Sequence, residues 1–309
     1  MTPEREIYLK MVSRGENKYY LVFDIGGTNT KCGLFNSSGD LVSANESSTP
    51  QLYDELVGFI INKCAEYKTS QVSIGLPGTV DYGDGKIIYA PNLTCLSGKK
   101  IVSDLSNEKI VACIENDANL AALGEYYFSD IKYDSIVLVT LGTGVGGGYI
   151  VNGNVYKGQL SVFEIGHMTI HTDGKQCGCG KRGCFEAYCS KTGLENIYYD
   201  LSNNRVSINE ILKLIDKKDS LAGVAMNVFS KYLGIGLSNI VNLLIPDVIV
   251  IGGGLSELSS YYFKNTIKVF SKNLFNPYKN STRLIVSKLK NKAALYGGFY
   301  LLRQNNGQI

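Results

Sequence analysis

The 309-residue chain has no tryptophan, two histidines, six prolines and no apolar run near the ~18 residues of a membrane-spanning helix. The missing run argues against a membrane span. The opening MTPEREIYLKMVSRGENKYY carries acids early and no apolar core, so it does not read as a secretory signal. Charge of one sign is scarce as well. Thirty-one Lys and Arg against 28 Asp and Glu leave +3, too weak and spread out to suggest a nucleic-acid partner. The eight cysteines do not form a disulfide pattern. Cys32, Cys64, Cys95 and Cys113 stand singly among apolar or mixed neighbours and read as buried thiols, and the expected compartment is a reducing cytoplasm.

What is present is apolar residue at 44%, charge at 19% and 34 glycines, many clustered, which is a globular composition with backbone-lined ligand turns. The length suits two domains of ordinary size or one large one. Tyr20–Phe23 is a β-run ending in Asp24-Ile-Gly26-Gly27-Thr28-Asn29-Thr30; a strand resumes at Lys31–Phe35 and turns at Asn36–Asp40. Leu52–Tyr67 has helical periodicity, Val72–Leu76 is a buried strand stopping at Pro77-Gly78, and Ile110–Ile114 is a strand after which Asn116-Asp117 opens a helix to about Phe128. The pattern then restarts, with strand Ser135–Thr140, a turn over Leu141–Gly148, strand Tyr149–Val151 and an Asn152-Gly153 turn. Strand, glycine turn, strand, tight turn occurs twice, which reads as duplication of one α/β unit, with two lobes and a cleft between them. Residues 194–244 are mostly helical, Asp247–Ile251 is a strand entering Gly252-Gly253-Gly254, and Ala293–Leu302 is a final helix.

Two constellations carry chemistry. A histidine and Cys177, Cys179 and Cys184 fall within eighteen residues, a Cys₃His set for tetrahedral zinc. Four protein ligands close the coordination shell, so the metal reads as structural. Three glycine turns each follow an apolar strand: Gly26-Gly27, Gly142–Gly148 and Gly252–Gly254. Glycine lets backbone N–H groups approach phosphate, and Thr28, Thr30 and Thr143 add hydroxyls. Tight hairpins need glycine too, so three turns in order weigh more than any one. None is a Walker A or a dinucleotide fingerprint. Asp24 opens the first turn as an Asx-type turn residue or as a carboxylate orienting Mg²⁺ through water. Lys31 is close in sequence, but its direction is not set by the pattern. Asp117 is either a helix N-cap or a general base.

The Asp24–Lys31 segment, the Gly142–Gly148 loop and Gly252–Gly254 resemble the phosphate-1, phosphate-2 and adenosine segments of the actin/hexokinase-type ATPase superfamily. With Glu164-Ile-Gly-His167 and Cys177-Gly-Cys179-Gly-Lys-Arg-Gly-Cys184-Phe-Glu186 added, the chain resembles the ROK family of bacterial sugar kinases and sugar-responsive repressors from about Tyr20 onward.

That resemblance implies an α/β, two-lobed, actin-like (ribonuclease H-like) fold of duplicated domains. The expected division is 1–118 plus 291–309 for the small lobe and 119–290 for the large one. It implies ATP-dependent phosphorylation of a hexose or N-acetylhexosamine, most readily glucose or N-acetylmannosamine, at the 6-hydroxyl. Asp117 becomes the catalytic base. Gly78, Asn92, Asn116, Glu164, His167 and Glu186 become sugar contacts. Asp24, Gly26, Gly27, Thr28, Thr30, Gly142, Thr143, Gly144, Gly253 and Gly254 become the Mg²⁺-ATP site. His167, with Cys177, Cys179 and Cys184, becomes the zinc set, with His171 the fallback ligand. A homodimer is expected, with no nucleic acid and no membrane.

Two departures bear on the sugar. Val162-Phe163 stands where many members have Ala-Gly before the first glutamate, and Thr94-Cys95-Leu96 stands where many have a Trp. The competing readings are a β-glucoside kinase, a sugar-binding protein without kinase activity, and a repressor. The repressor is disfavoured by the short segment before the first strand.

Overall fold

The computed structural model describes residues 19–130, 133–160 and 163–305; the N-terminal segment 1–18 and Val162 lie outside the described residues. The chain forms two compact units. Unit one is Met1–Phe128, Tyr156–Val162 and Lys292–Ile309; unit two is Ser129–Val155 and Phe163–Asn291.

Unit one is built on β1 (Tyr20–Ile25), β2 (Asn29–Phe35), β3 (Leu41–Ser48), β4 (Gln71–Leu76) and β7 (Val111–Asn116), in the order β3-β2-β1-β4-β7. The first three pair antiparallel, and β1-β4 and β4-β7 are parallel. A small hairpin, β5 (Thr79–Asp81) and β6 (Lys86–Tyr89), stands beside the main sheet. The parallel strands need helical crossovers. Helix α1 (Tyr53–Glu66) joins β3 to β4, and α2 (Ile101–Asn107) precedes β7. Their apolar residues Leu56, Ile60, Cys64, Ile101 and Leu105 share one core with Leu21, Phe23 and Ile74 of the sheet. Cys32 and Cys64 are buried thiols as expected, while Cys95 and Cys113 are only half-buried.

Helix α3 (Asp117–Phe128) packs in unit one against α9 (Ala293–Asn305). A Cβ on Gly124 would stand 2.0 Å from the Ala293 carbonyl oxygen, and one on Gly297 would stand 1.8 Å from that of Leu120. The two backbones therefore touch, which only glycine permits. The division thus falls after Phe128, where the sequence placed it after 118, because this contact holds the whole of α3 in unit one.

Unit two repeats the plan with β8 (Ser135–Leu141), β9 (Val145–Val151), β10 (Asn154–Val155), β11 (Val248–Gly252) and β12 (Arg283–Val286), in the order β10-β9-β8-β11-β12. Antiparallel and parallel pairs fall in the same places as in unit one. The two mixed sheets bear out the duplicated α/β reading. One expectation changes: the glycines 146–148 are inside β9, not in a turn. They pair with Thr140, Val139 and Leu138, and Gly147 is bare because Ile165 and Phe163 approach to 2.7 and 2.9 Å of where its Cβ would be. Short helix α4 (Glu186–Cys189) and helices α5 (Lys191–Ser202), α6 (Ile208–Asp216), α7 (Ser220–Leu244) and α8 (Ser259–Asn273) complete the unit. Among the described residues, no helix is long and apolar enough to cross a membrane.

Candidate active site and metal centre

The first glycine turn joins β1 to β2, and its carbonyls all point one way. Gly26 O accepts from the Thr49 hydroxyl at 2.7 Å, Gly27 O from Gln51 Nε2 at 3.0 Å, and Thr28 O from the Thr49 N–H at 2.8 Å. In a trans peptide the following N–H points opposite its carbonyl, so the N–H groups of Gly27, Thr28 and Asn29 face the other side, as an anion requires. Thr28 is exposed. Thr30 is not available for phosphate: it is fully buried and its hydroxyl bonds that of Thr49 at 2.9 Å. Strand alternation explains the correction, since Thr30 faces inward. Thr49 and Gln51, which the sequence reading missed, hold the turn.

Asp24 lies opposite Lys31 in the β1–β2 register, and the two side chains approach to 3.4 Å. Burial raises the Asp24 carboxyl, and Lys31 pulls it back down. A β-hairpin centred on the glycine turn would have revealed this pairing from the sequence. Gly27 abuts the Asn92 loop, with its would-be Cβ 2.4 Å from Asn92 O. Gly78 has φ +126°, and a Cβ there would lie 2.1 Å from Tyr89 O, so glycine is required where that turn passes Tyr89 and Ala90.

At the β7–α3 junction the cap belongs to Asn116. Its Oδ1 accepts from the N–H groups of Ala118 at 3.0 Å and Asn119 at 3.2 Å, and its Nδ2 donates to Gly78 O at 3.1 Å. Asp117 is the first helical residue, its Oδ1 taking the Ala118 N–H at 2.8 Å. The helix start is therefore capped chiefly by Asn116, which takes two N–H groups, with Asp117 sharing that of Ala118.

In unit two, Gly142 N–H donates to Gly144 O at 2.9 Å, and Gly142 O accepts from the Lys191 N–H at 2.8 Å. Thr143 is exposed at the tip. The turn rests on Glu186: Oε2 accepts from the Val145 N–H at 2.9 Å, and a Cβ on Gly144 would lie 2.4 Å from that oxygen. Gly253, at φ +77°, packs on the backbone of Leu141, while Gly254 faces open space. The second and third glycine turns are thus neighbours within one unit.

His167, Cys177, Cys179 and Cys184 offer ligand atoms within 4.8 Å of one another. Cys179 and Cys184 Sγ are 3.6 Å apart, and Cys177 Sγ is 3.9 Å from His167 Nδ1. That donor set fits a tetrahedral metal. His171 is not part of it; its Nδ1 meets the hydroxyls of Tyr188 at 2.9 Å and Tyr232 at 3.1 Å. Cys177 Sγ also lies 3.7 Å from Glu186 Oε1, so the cluster adjoins the carboxylate that braces the glycine turn. Glu164 precedes the 3₁₀ turn carrying His167. Burial raises its carboxyl, His167 opposes the rise, and Glu186 adds to it.

The ROK family model matches residues 20–305. The N-acetyl-D-glucosamine kinase of Shigella flexneri (serotype 5b, strain 8401) is 35% identical over 258 residues, covering 77% of this chain and 84% of that protein. A ROK family glucokinase from Streptomyces griseus, in complex with glucose and AMPPNP, has a TM-score of 0.82 at 27% identity, over 93% of this chain and all of that one (100%). The ROK hexokinase from Thermus thermophilus has a TM-score of 0.82 at 26% identity, over 94% and 100% of the two chains. With both glycine-turn sheets and the Cys₃His cluster in place, the chain belongs to the ROK family, as an ATP-dependent sugar kinase.

Proposed function

We propose that the sugar this kinase phosphorylates is an N-acetylhexosamine, N-acetyl-D-glucosamine first, or the parent hexose, at the 6-hydroxyl. The observation that carries the catalytic assignment is the division of roles at the β7–α3 junction. Asn116 supplies the helix cap, so the Asp117 carboxylate is not needed for that purpose and can serve as general base for the sugar hydroxyl. The N-acetyl preference rests on the 35% identical relatives that are N-acetyl-D-glucosamine kinases.

Asn92, Asn116, Glu164, His167 and Glu186 contact sugar hydroxyls, with Gly78 keeping its loop close. Asn116 retains one amide N–H beyond its bond to Gly78 O. His167 turns Nδ1 toward Cys177, which leaves Nε2 for the sugar. The N–H groups of Gly27, Thr28, Thr143 and Gly144 hold the ATP phosphates, Gly26 and Gly142 shape the two turns by donating to Asn29 O and Gly144 O, and Gly253 and Gly254 border the nucleoside. Asp24 orients Mg²⁺ through water; when bound, that ion neutralises phosphate charge. His167, Cys177, Cys179 and Cys184 would hold zinc as a structural ion. Cys177 beside Glu186 ties that loop to the carboxylate bracing the glycine turn, a supported group of the kind orientation-driven catalysis requires. A homodimer in a reducing cytoplasm accompanies this reading. It is supported by the symmetry common among oligomers and by eight cysteines free of disulfides.

The test is ADP release from Mg²⁺-ATP with N-acetylglucosamine, N-acetylmannosamine, glucose and a β-glucoside. Turnover of ~1–10³ s⁻¹ with an N-acetylhexosamine at lower KM than glucose is expected. A preference for glucose or a β-glucoside overturns the N-acetyl assignment, and no turnover on zinc-replete protein overturns the catalytic one.

A further inference from the structure

Glu115 carries a carboxylate into the interior of unit one, where its side chain has no exposed surface. An ionised group there needs a counter-charge and donors for its lone pairs. Oε1 accepts from the Tyr82 hydroxyl, from the Asn116 N–H at 3.0 Å and from Asn119 Nδ2 at 3.0 Å. Oε2 lies 2.8 Å from Lys157 Nζ. Lys157 also stands over the Tyr82 ring, 4.1 Å from its centroid, a cation–π contact that fixes the ammonium further. The carboxylates of the ion pairs at Asp24, Glu66, Asp84, Asp200, Asp130 and Glu257 are each at least partly exposed.

The placement of these partners matters more than their number. Asn116 ends β7 and Asn119 lies in the first turn of α3, so Glu115 staples strand to helix. Asp117 sits between the two stapled points. The cation arrives from elsewhere in the chain, on the segment that returns to unit one at Tyr156–Val162. That segment is itself held by a bridge between Leu160 and Asp81, the residue next to Tyr82. The staple and its counter-ion are thus fixed from two directions.

We infer that Lys157 is a positioning residue for Asp117, acting through the buried Glu115 carboxylate. This rests on Asp117 as the general base. Without the ammonium, Glu115 is a buried charge lacking its counter-ion, and it moves toward water. That movement loosens the Asn116 and Asn119 bonds that set the Asp117 backbone. Lys157 touches neither the glycine turn nor the His/Cys cluster among its recorded contacts, so the loss falls chiefly on turnover; ATP affinity is spared, and sugar affinity changes only as far as Asn116 moves.

The experiment is steady-state ADP release and thermal unfolding for Lys157→Met, Lys157→Arg, Glu115→Gln, the Lys157→Met/Glu115→Gln pair and Asp117→Asn. Lys157→Met is expected to lower kcat about 10²-fold, the scale of a small misplacement of a catalytic group, with KM for ATP little changed and KM for sugar rising far less than kcat falls. Lys157→Arg restores most of kcat because it keeps the charge. The double variant turns over faster than Lys157→Met alone, because no unpaired buried charge remains. Wild-type kcat in Lys157→Met overturns the inference, as do kcat losses equal in Met and Arg variants that simply follow the thermal midpoint. If Lys157→Met does not fold, Glu115→Gln decides: a fall in kcat larger than any rise in sugar KM, at constant KM for ATP, supports the inference, and unchanged kcat overturns it. Wild-type turnover in Asp117→Asn instead retires the base assignment, whereas an inactive Asp117→Asn beside an unimpaired Lys157→Met retires only the role of Lys157.

Discussion

Unit one and unit two order their strands identically, yet the features that carry chemistry attach at different points. In unit one the connection from β3 to β4 is a single helix, and Asp117, the proposed base, follows the fifth strand of the sheet, β7. In unit two the corresponding fifth strand, β12, leads to no such residue. The long connection from β10 to β11 instead holds Glu164, the metal cluster, Glu186 and three of the larger helices. The sheet is a frame that tolerates insertion at its connections, and function collects there. The two glycine turns show the same contrast at atomic scale. The first is backed by the backbone of the Asn92 loop, the second by the tip of the Glu186 side chain.

The largest expected effect tests the assignment of base chemistry to unit one. Asp117→Asn should lower kcat about 10³-fold, within the range for a lost general base, and leave the thermal midpoint unchanged because Asn116 keeps the cap. Near wild-type turnover would erase the contrast. Next comes the His/Cys cluster, which among the described residues only unit two carries. Cys184→Ser, at a fully buried ligand position, should abolish stoichiometric metal and lower the unfolding temperature, since ligand binding is folding energy. Sugar KM should rise with it. Unchanged stability after metal loss would mean the cluster does not organise its loop.

A smaller effect separates the two turns. Gly27→Ala drives a Cβ to 2.4 Å from the Asn92 backbone oxygen, and Gly144→Ala drives one to 2.4 Å from Glu186 Oε2. Backbone yields less than a side-chain tip, so Gly27→Ala should cost stability by ~1–3 kcal/mol. Gly144→Ala should cost less stability but raise sugar KM, by pushing Glu186 off the Val145 N–H. Equal stability losses in chemical denaturation would remove the distinction. The smallest effect concerns Glu164. Its surroundings raise its carboxyl, but the residue is exposed, so solvent screens the shift and little stability depends on it. Glu164→Gln should leave the thermal midpoint nearly unchanged, while sugar KM rises about tenfold for one lost charged hydrogen bond. An unchanged sugar KM would remove Glu164 from the sugar contacts.

Residue type and spacing determined the local chemistry of this protein. Cysteines at 177, 179 and 184 with a nearby histidine read as a ligand set before the fold is known, and the fold brings those four donors within 4.8 Å of one another. Twice-repeated strand, glycine turn and strand declared the duplication, because glycine density and apolar runs are local properties. Strand β3 and helix α8 were not legible for the opposite reason: Leu41–Ser48 is mostly polar and exposed, stabilised by pairing with β2 and not by its own pattern. Other matters depended on which groups meet across the chain, and only the tertiary structure decided them. His167 faces the cysteines while His171 turns to two tyrosines. Thr30 bonds Thr49 inside the sheet and is lost to phosphate. Lys31 reaches Asp24, and Lys157 reaches Glu115 from 42 positions away along the chain (157 − 115 = 42). Periodicity reports which face of an element is apolar, but a hydrogen bond or ion pair depends on distance in space, and that is set when the sheets and helices pack.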